Sequence, residues 1–377
     1  MPVIITLLAL VIASFYFFLI FAFFIGWLRT KRYIPDQKPP ITRVSILIPC
    51  RNEEDNIREL ATLLNNQDYP LELLEVIWID DHSTDGTDPL ITEQIHTLKN
   101  RHLIKLTDQV TGKKAALKAG MELASGELIL LTDADSRPGT RWVKTMAKFF
   151  EETGIDLILG PVVLDPAYAG FDKIQKLEYL SLVASSVGAA GIGHPVMAQG
   201  PNIAVRSADY RILVNNLNNR FASGDDVFLL QSMKKVPEKK VGYVLNPDAT
   251  VRSKPAESLS GFLLQRRRWA SKATGYQDPF LILITLLVFT TNLVILAALV
   301  CALWGVVPFY LFLILLGIKT LADLPLLCTA MRFFRCTHLL VWLIPVQIVY
   351  PVYIIVAGIL SQFTPVRWKN REGIRKT

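Results

Sequence analysis

The fold is decided by the segment Val44-Ser-Ile-Leu-Ile-Pro-Cys-Arg-Asn-Glu-Glu54, in which a short apolar run passes directly into polar and acidic residues. Similar apolar runs recur at 74–79, 103–106 and 128–131, with helix-length stretches between them. This alternation predicts strands joined by βαβ crossovers. We therefore expect an α/β fold with a mainly parallel sheet and covering helices.

The composition of the 377-residue chain indicates a mixed protein, partly embedded in a membrane and partly globular. The hydrophobic fraction is 51% and the charged fraction is 19%, which is too apolar for a purely soluble chain. Abundant apolar residues exclude intrinsic disorder, and four cysteines without a C-x-x-C pair exclude a disulfide scaffold. The net charge of +7 says little about partners, because membrane proteins gather lysines and arginines beside their spans.

An uncharged segment with a basic flank opens the chain. Residues 1–28 carry no charged side chain, and Arg29, Lys31 and Arg32 follow. A secretory signal peptide would have a basic start and a small-residue cleavage site, and neither is present. We therefore expect an uncleaved anchor whose basic flank holds the following domain in the cytoplasm, and a multi-pass protein of the cell (inner) membrane. The proline-rich stretch 29–42 is expected to form a short stem.

The second apolar region extends from 279 to 363 and precedes a basic tail. It divides into three segments, each long enough to cross a hydrocarbon core that needs about 20 residues, near 280–302, 306–330 and 338–363. The last segment contains Pro345, Gln347 and Pro351 near its middle. Because the tail after it is basic, we expect a re-entrant or interfacial hairpin there, with both ends inside.

Acidic residues follow the predicted strands at the sheet edge where ligands bind in parallel sheets. They lie in Cys50-Arg-Asn-Glu53, Asp80-Asp-His-Ser-Thr-Asp-Gly-Thr87 and Asp133-Ala-Asp135. Converging carboxylates repel one another unless a cation lies among them, and oxygen ligands of this kind suit Mg²⁺ or Mn²⁺. Such an ion commonly bridges the phosphates of a nucleotide. The alternative for each motif alone is an ordinary acidic turn that caps a helix.

Three further motifs carry charge at the starts of predicted helices or beside the membrane. Gly112-Lys113 presents backbone N–H groups and a lysine to an anion, or is simply a solvated helix start. Ser223-Gly-Asp-Asp226 places adjacent acids at a helix start, where they would also complement the helix dipole. Gln265-Arg-Arg-Arg-Trp269 precedes the membrane region. The alternative to a functional motif is an anchor that binds lipid headgroups. Nucleic acid is not an expected partner, because the basic residues are not interleaved with aromatic ones.

Taken in order, these motifs resemble those of the membrane-bound glycosyltransferases of family 2, which have a GT-A fold. The matching patterns, which occur in family order, are V-S-I-L-I-P-x-R-N-E-E, D-D-x-S-x-D-G-T, G-K, D-x-D, G-D-D and Q-x-x-R-W. The resemblance implies a Rossmann-like GT-A domain with one N-terminal and two to three C-terminal transmembrane segments. The expected domains are the anchor 1–28, the stem 29–42, the GT-A domain 43–254, an interfacial helix 255–278, membrane segments 279–363 and the basic tail 364–377.

The resemblance also implies roles for individual residues. Those expected to bind the nucleotide sugar are Pro49, Arg51, Glu53, Asp80, Asp81, Lys113, Asp133 and Asn202. Those expected to hold the metal are Asp133 and Asp135. Those expected to catalyse transfer are Asp225, Asp226, Gln265, Arg268 and Trp269. Among these, Asp226 is the expected general base and Asp225 the alternative, while Arg268 and Trp269 are expected on the diphosphate and acceptor side.

The implied reaction is inverting transfer of a sugar from a nucleotide-diphosphate sugar, expected to be a UDP-sugar, to a membrane lipid. A single displacement needs charge neutralisation by Mg²⁺ or Mn²⁺ and arginine, and a carboxylate that takes the acceptor's proton. A processive polysaccharide synthase is the alternative, because Q-x-x-R-W also marks those enzymes, and an inactive membrane scaffold is less favoured. The sequence leaves oligomerisation open.

Lys319 and Asp323 are an ionisable pair four residues apart in an apolar segment, and so share one helix face. Such groups are costly inside a membrane unless they are paired, hydrated or functional. They are expected either to meet the headgroup of the acceptor lipid or to form a salt bridge that seals helix packing. The sequence alone leaves both interpretations open.

Overall fold

The computed structural model describes residues 2–96, 98–165, 169–215, 224–363, 367–368 and 371–372. The chain divides into two compact units. The membrane unit consists of Met1–Thr30, Pro166–Val196 and Pro255–Arg367, and the sheet unit of Lys31–Asp165, Met197–Lys254 and Trp368–Thr377. Residues 166–196, inside the expected GT-A domain, therefore group with the membrane helices.

The elements are numbered in chain order. The helices are α1 (Pro2–Arg29), α2 (Glu54–Asn65), α3 (Thr87–Ile95), α4 (Lys113–Leu123), α5 (Trp142–Thr153), α6 (Gly170–Gly191), α7 (Ser207–Asn215), α8 (Asp225–Lys234), α9 (Leu259–Ala270), α10 (Pro279–Leu303), α11 (Phe309–Phe333) and α12 (Leu343–Phe363). The strands are β1 (Val44–Cys50), β2 (Leu74–Asp80), β3 (Arg101–Lys105), β4 (Leu128–Leu131), β5 (Arg137–Pro138), β6 (Leu157–Leu159), β7 (Val162–Leu164), β8 (Ile203–Arg206), β9 (Val241–Tyr243), β10 (Val251–Ser253), β11 (Arg367–Trp368) and β12 (Arg371–Glu372).

The sheet unit is built on a mixed seven-stranded sheet with the order β3-β2-β1-β4-β8-β6-β9. β1 pairs in parallel with both β2 and β4, and β2 pairs in parallel with β3. β8 runs antiparallel to β4 and β6. The separate three-stranded sheet has the order β5-β10-β7. The prediction of four parallel strands in the first part of the chain is confirmed.

The centre of the large sheet is covered on both faces, which explains its uninterrupted apolar strands. Ile46, Leu47 and Ile48 are successive residues of β1, so their side chains alternate between faces, yet all three are 0% exposed. An alternating apolar and polar pattern would instead have marked a sheet with one solvated face. The helices that cover the sheet, such as α2 and α4, begin directly after the polar residues at the strand ends.

Within the described residues, the membrane unit contains four helices that are long and apolar enough to cross a membrane. They are Ile4–Arg29, Pro279–Leu303, Phe309–Phe333 and Thr337–Gln362. Small side chains at Ala9 and Ala13 of α1 bring this helix against Ile295 of α10 and Leu315 of α11 in one buried cluster. Close packing of this kind holds membrane helices together where lipid gives no hydrophobic driving force between them.

The predicted hairpin at 338–363 is wrong. A 3₁₀ turn over Thr337–Trp342 leads into α12, which continues as one helix to Phe363. Pro345 lies in the first turn, where a missing N–H costs nothing, and Pro351 removes only one hydrogen bond from an otherwise continuous helix. The basic tail beyond this helix lies almost entirely outside the described residues.

Lys319 and Asp323 lie inside a closed polar network that joins three membrane helices. Lys319 is 3% exposed. Its Nζ lies 2.8 Å from Asp323 Oδ2 and also contacts the Gln347 side chain of α12. The Tyr16 hydroxyl of α1 donates to Asp323 Oδ1 at 2.7 Å, and Gln347 Nε2 donates to Oδ2 at 2.6 Å. Because these polar groups satisfy one another's hydrogen bonds, the network favours the interpretation that the pair seals helix packing.

Helices α1 and α6 are in backbone contact through glycine. A Cβ built on Gly188 would lie 2.3 Å from the Phe23 carbonyl oxygen, and one on Gly26 would lie 1.9 Å from the Gly188 carbonyl oxygen. Real side chains do not approach backbone atoms so closely, so even one methyl group must force the helices apart. α6 therefore packs against α1 without any space for a side chain at this crossing.

We predict that Gly188→Ala lowers the stability of the membrane unit by about 1–3 kcal/mol, because the added methyl overpacks the crossing. The measurement is the apparent melting temperature in detergent. Gly317→Ala in α11 is the control, because a Cβ there meets no described atom within 4 Å and alanine is the better helix former. Equal melting temperatures for the two variants would contradict the close crossing.

Candidate functional site

The loops after β1 and β2 are interlocked at one edge of the sheet. Parallel pairing places Cys50 beside Asp80 at the carboxyl ends of the two strands. The Asn52 N–H donates to Ser83 Oγ at 3.0 Å, and Asn52 Oδ1 accepts from the Thr84 N–H at 2.8 Å. These reciprocal bonds fix both polar loops together, so the acidic residues that follow the two strands meet.

Two adjacent aspartates are buried at this edge. Asp80 is 6% exposed, and its Oδ1 accepts no hydrogen bond from any described residue. Asp81 is 2% exposed and uses Oδ2 to accept the Gly112 N–H at 3.0 Å. The Asp81 carbonyl oxygen accepts from Arg51 Nη1 at 2.7 Å. Asp81 and Arg51 therefore tie three loops together, while Asp80 keeps an acceptor for the hydroxyl or N–H of a ligand.

Pro49 and Glu53 frame the first loop. Pro49 is half-buried in β1 opposite Ile79. The Glu53 N–H donates to Thr87 Oγ1 at 2.7 Å, and its carboxylate accepts from Asn56 Nδ2 at 2.7 Å. These contacts orient the Glu53 carboxylate, whose charge acts on the D-x-D motif.

Lys113 lies among carboxylates that come from two separate motifs, D-x-D and G-D-D. Its Nζ forms an ion pair with Asp133. Burial alone lowers the pKa of Lys113, but the charges of Asp133, Asp225 and Asp226 outweigh burial and hold this pKa above its usual value. A Cβ built on Gly200 would lie 3.8 Å from Lys113 Nζ and 3.6 Å from Asp226 Oδ2, which places both groups beside the same glycine.

Burial and neighbouring negative charge together favour the protonated form of Asp135 in the D-x-D motif. Burial, followed by the charges of Asp133 and Glu53, raises the pKa of Asp135 to about 6. Among the described residues, no set of three or more acids, histidines or cysteines is close enough to hold a metal alone. Asp133 and Asp135 instead fit the common arrangement in which one or two carboxylates hold Mg²⁺ together with substrate phosphates.

The G-D-D motif presents its two acids differently at the start of α8. Asp225 is 9% exposed and lies 3.7 Å from Lys114 Nζ. Asp226 is half-buried, and its Oδ1 accepts the Val227 N–H at 2.8 Å. The Oδ2 of Asp226 is the atom beside Gly200. Asp226 is thus the more accessible carboxylate of the two, while Ser223 lies outside the described residues.

Asn202 has a supporting role in place of its predicted contact with the nucleotide sugar. Its side chain is 0% exposed. Both amide protons are donated to protein carbonyls, those of Pro161 and Ala249 at 2.7 Å each, and Oδ1 accepts from Trp142 Nε1 at 2.9 Å. No donor remains for a sugar, so the prediction is corrected on this point.

The Q-x-x-R-W motif lies on α9 in the membrane unit, where Gln265, Arg268 and Trp269 are half-buried. The Trp269 ring lies 5.9 Å from that of Tyr179 on α6. The sequence analysis did not single out Arg266, although it is 5% exposed and contacts Gln265 and Trp269. Each of the three consecutive arginines follows an apolar residue four positions earlier, so no local signal in the sequence distinguishes the buried one.

The chain is similar in sequence to known glycosyltransferases. The family described as Glycosyl transferase family 2 matches residues 45–204, and Glycosyl transferase family group 2 matches residues 128–360. Glycosyltransferase AglE of Haloferax volcanii is 34% identical over 37% of this chain and 48% of its own length. Beta-monoglucosyldiacylglycerol synthase of Nostoc sp. is 30% identical over 34% of this chain and 28% of its own. The chain thus spans about half or less of these relatives.

A solved structure shows the same fold. The mannosyltransferase PcManGT from Pyrobaculum calidifontis, in complex with GDP-Man and Mn²⁺, superposes with a TM-score of 0.57 at 20% identity. The match covers 95% of this chain and 99% of that one. The predicted GT-A-like α/β fold is therefore confirmed. Because the second family match spans well over half of the sequence, the chain belongs to glycosyl transferase family group 2.

Proposed function

We propose that the chain is an inverting glycosyltransferase that moves a sugar from a nucleotide-diphosphate sugar to a membrane lipid. The observation that carries this proposal is the cluster at the sheet edge, where Lys113 contacts Asp133 beside Asp226. A half-buried lysine among carboxylates suits a ligand whose diphosphate and hydroxyl groups need both kinds of partner.

The donor is a UDP-sugar held at the carboxyl edge of the sheet. The unsatisfied Asp80 Oδ1 is a ready acceptor for the base or ribose, and Asp81 fixes the adjoining loop. Arg51 and Glu53 hold the neighbouring loop in place, with Pro49 at its base. A ligand in this crevice lies at the strand ends, where open α/β sheets bind nucleotides.

Asp133 and Asp135 hold Mg²⁺ or Mn²⁺ in this proposal. When bound, the ion supplies positive charge to the leaving diphosphate. Support comes from the elevated pKa of Asp135, because a cation shared with phosphates would favour the ionised form that burial, and then the charges of Asp133 and Glu53, disfavour. The fold neighbour from Pyrobaculum was solved with Mn²⁺.

Asp226 is the general base and takes the proton of the attacking hydroxyl. Its carboxylate is more accessible than that of Asp225, which burial and Lys114 restrain. Gln265, Arg268 and Trp269 act on the diphosphate and acceptor side. Arginine is well suited to this role, since its planar guanidinium binds phosphate in a bidentate manner.

The acceptor is a membrane lipid, and the sheet unit faces the cytoplasm. Four candidate membrane spans in the same chain support a lipid acceptor, as does the name of the Nostoc relative. Arg29, Lys31 and Arg32 directly after α1 support the orientation, because basic flanks stay on the cytoplasmic side.

The proposal is tested with sealed membrane vesicles, a panel of radiolabelled nucleotide sugars and thin-layer chromatography of the lipid extract. We expect one discrete organic-soluble product from a UDP-sugar, made by inverted vesicles and not by intact right-side-out ones. Vesicles without the chain are the control. A ladder of water-soluble polymer would favour the processive synthase, and product from intact right-side-out vesicles would contradict the orientation.

Asp135→Ala is expected to lower transfer by about 10²–10³-fold, because the leaving diphosphate loses charge stabilisation. EDTA should have the same effect on the unmodified protein. Asp68→Ala is the control, since Asp68 is an exposed acid whose side chain pairs with Lys144 on the surface. Turnover by Asp135→Ala that is undiminished in the presence of chelator would remove the metal from the account.

Asp226→Asn keeps the side-chain shape but cannot accept the proton, so kcat should fall by about 10²–10⁴-fold. Donor affinity, measured by UDP competition, should change little. The comparison variant is Asp225→Asn, for which a smaller loss is expected because Asp225 is buried beside Lys114. A larger loss in Asp225→Asn would transfer the role of base to that residue.

A further inference from the structure

A buried ion pair lies at the centre of the membrane unit, beside the Q-x-x-R-W motif. Arg266 of α9 is 5% exposed and Glu178 of α6 is 3% exposed. Arg266 Nε donates to Glu178 Oε1 at 3.1 Å, and Nη2 donates to Oε2, so the contact is bidentate. Burying two charges costs several kcal/mol per ion, and only a well-formed pair offsets that cost. The pair therefore fixes α9 against α6 in one geometry.

A third helix holds the acidic partner. The Tyr353 hydroxyl of α12 donates to Glu178 Oε1 at 2.7 Å, on the oxygen that also accepts from Arg266 Nε. The Tyr353 ring packs against Phe262 of α9 with centroids 5.5 Å apart. Glu178 thus accepts hydrogen bonds from α9 and from α12. Its position therefore depends on α12, which is part of a candidate membrane span.

The guanidinium of Arg266 also contacts the flanking motif residues. Nη1 donates to Gln265 Oε1. Its Cζ lies 4.2 Å from the centroid of the Trp269 ring and 4.4 Å from that of Phe262. Contacts between a cation and aromatic rings are stronger when they are desolvated, as they are here. One buried cation thereby fixes both the amide at the start of the motif and the indole at its end.

We propose that Arg266, held by Glu178 and Tyr353, is a positioning residue for sugar transfer that acts through Gln265 and Trp269. This inference rests on the proposed role of those two residues in the reaction. Catalytic groups must be held within about 0.5 Å of their productive positions, and supporting residues supply that precision. Arg266 is buried, bonds to protein through Nε, Nη1 and Nη2, and lies against two aromatic rings, which suits support better than direct contact with substrate.

Arg266→Lys is the decisive variant. Lysine keeps the positive charge for Glu178 but lacks the planar fork that reaches Gln265 and stacks on Trp269. We expect kcat to fall by about 10–100-fold, because a misplacement near 1 Å carries such a penalty. The donor KM should stay within about 3-fold of the original value. A purely structural role would lower the yield of folded protein and leave the kcat of the folded fraction unchanged.

Arg206→Lys is the matched control. Arg206 also pairs with a carboxylate, Asp156 at 2.9 Å, and lies 4.6 Å from the Phe150 ring centroid. It stands opposite Leu128 at the amino end of β4, away from the carboxyl edge. This substitution should leave kcat and KM unchanged. An equal loss of kcat in both lysine variants would overturn the proposal.

Coupling between residues separates this inference from the proposed function. The reference is the double variant Gln265→Ala, Trp269→Phe, which we expect to be slow but active. Adding Arg266→Lys to it should lower kcat by less than about 3-fold, because the contacts that Arg266 fixes are already gone. An undiminished 10–100-fold additional loss would overturn the positioning role. Original activity in the double variant would instead refute the role of the motif itself.

Tyr353→Phe keeps the ion pair and removes one hydrogen bond to Glu178. This variant tests the same positioning role if Arg266→Lys does not fold. We expect a loss of kcat of about 2–5-fold, the size of one net hydrogen bond. The loss should again disappear in the Gln265→Ala, Trp269→Phe background. An unchanged kcat for a folded Tyr353→Phe protein would contradict the dependence on α12.

Discussion

The ion pair between Lys113 and Asp133 is the contact on which the site depends. Parallel pairing of β1 with β2 and β4 brings the strand ends to one edge, and acidic groups follow each of those strands. Carboxylates gathered at this edge repel one another, and burial together with the charges of Asp133 and Glu53 raises the pKa of Asp135. Lys113 offsets part of this repulsion, and a phosphate-bound cation would offset the remainder.

A second buried charge organises the membrane unit. Arg266 joins α9 to α6 through Glu178, and Tyr353 brings α12 to the same carboxylate. Farther along the membrane helices, Lys319 and Asp323 form a comparable closed network. Buried ion pairs add little net stability over apolar packing, but removing one partner is costly. Both networks therefore specify how the helices of this unit pack.

Much of the sheet unit could be predicted from the sequence, because apolar runs and the polar residues after them are local patterns. The positions of Asp80 and Asp133 at the strand ends follow from those patterns. The burial of Asn202 and of Arg266 could not be predicted, since it depends on which distant segments cover each side chain. The hairpin prediction at 338–363 failed because the basic tail and the prolines were taken as evidence against one span, whereas α12 is continuous through Pro351.

The most direct test of the central claim is calorimetric titration of UDP into the purified full-length protein, with Mn²⁺ and with EDTA. If the carboxylate cluster holds a nucleotide diphosphate through a shared cation, Mn²⁺ should tighten UDP binding by at least about 10-fold, a difference of about 1.4 kcal/mol. The Lys113→Ala variant should bind UDP more weakly under both conditions. Equal affinity for UDP with Mn²⁺ and with EDTA would contradict the account.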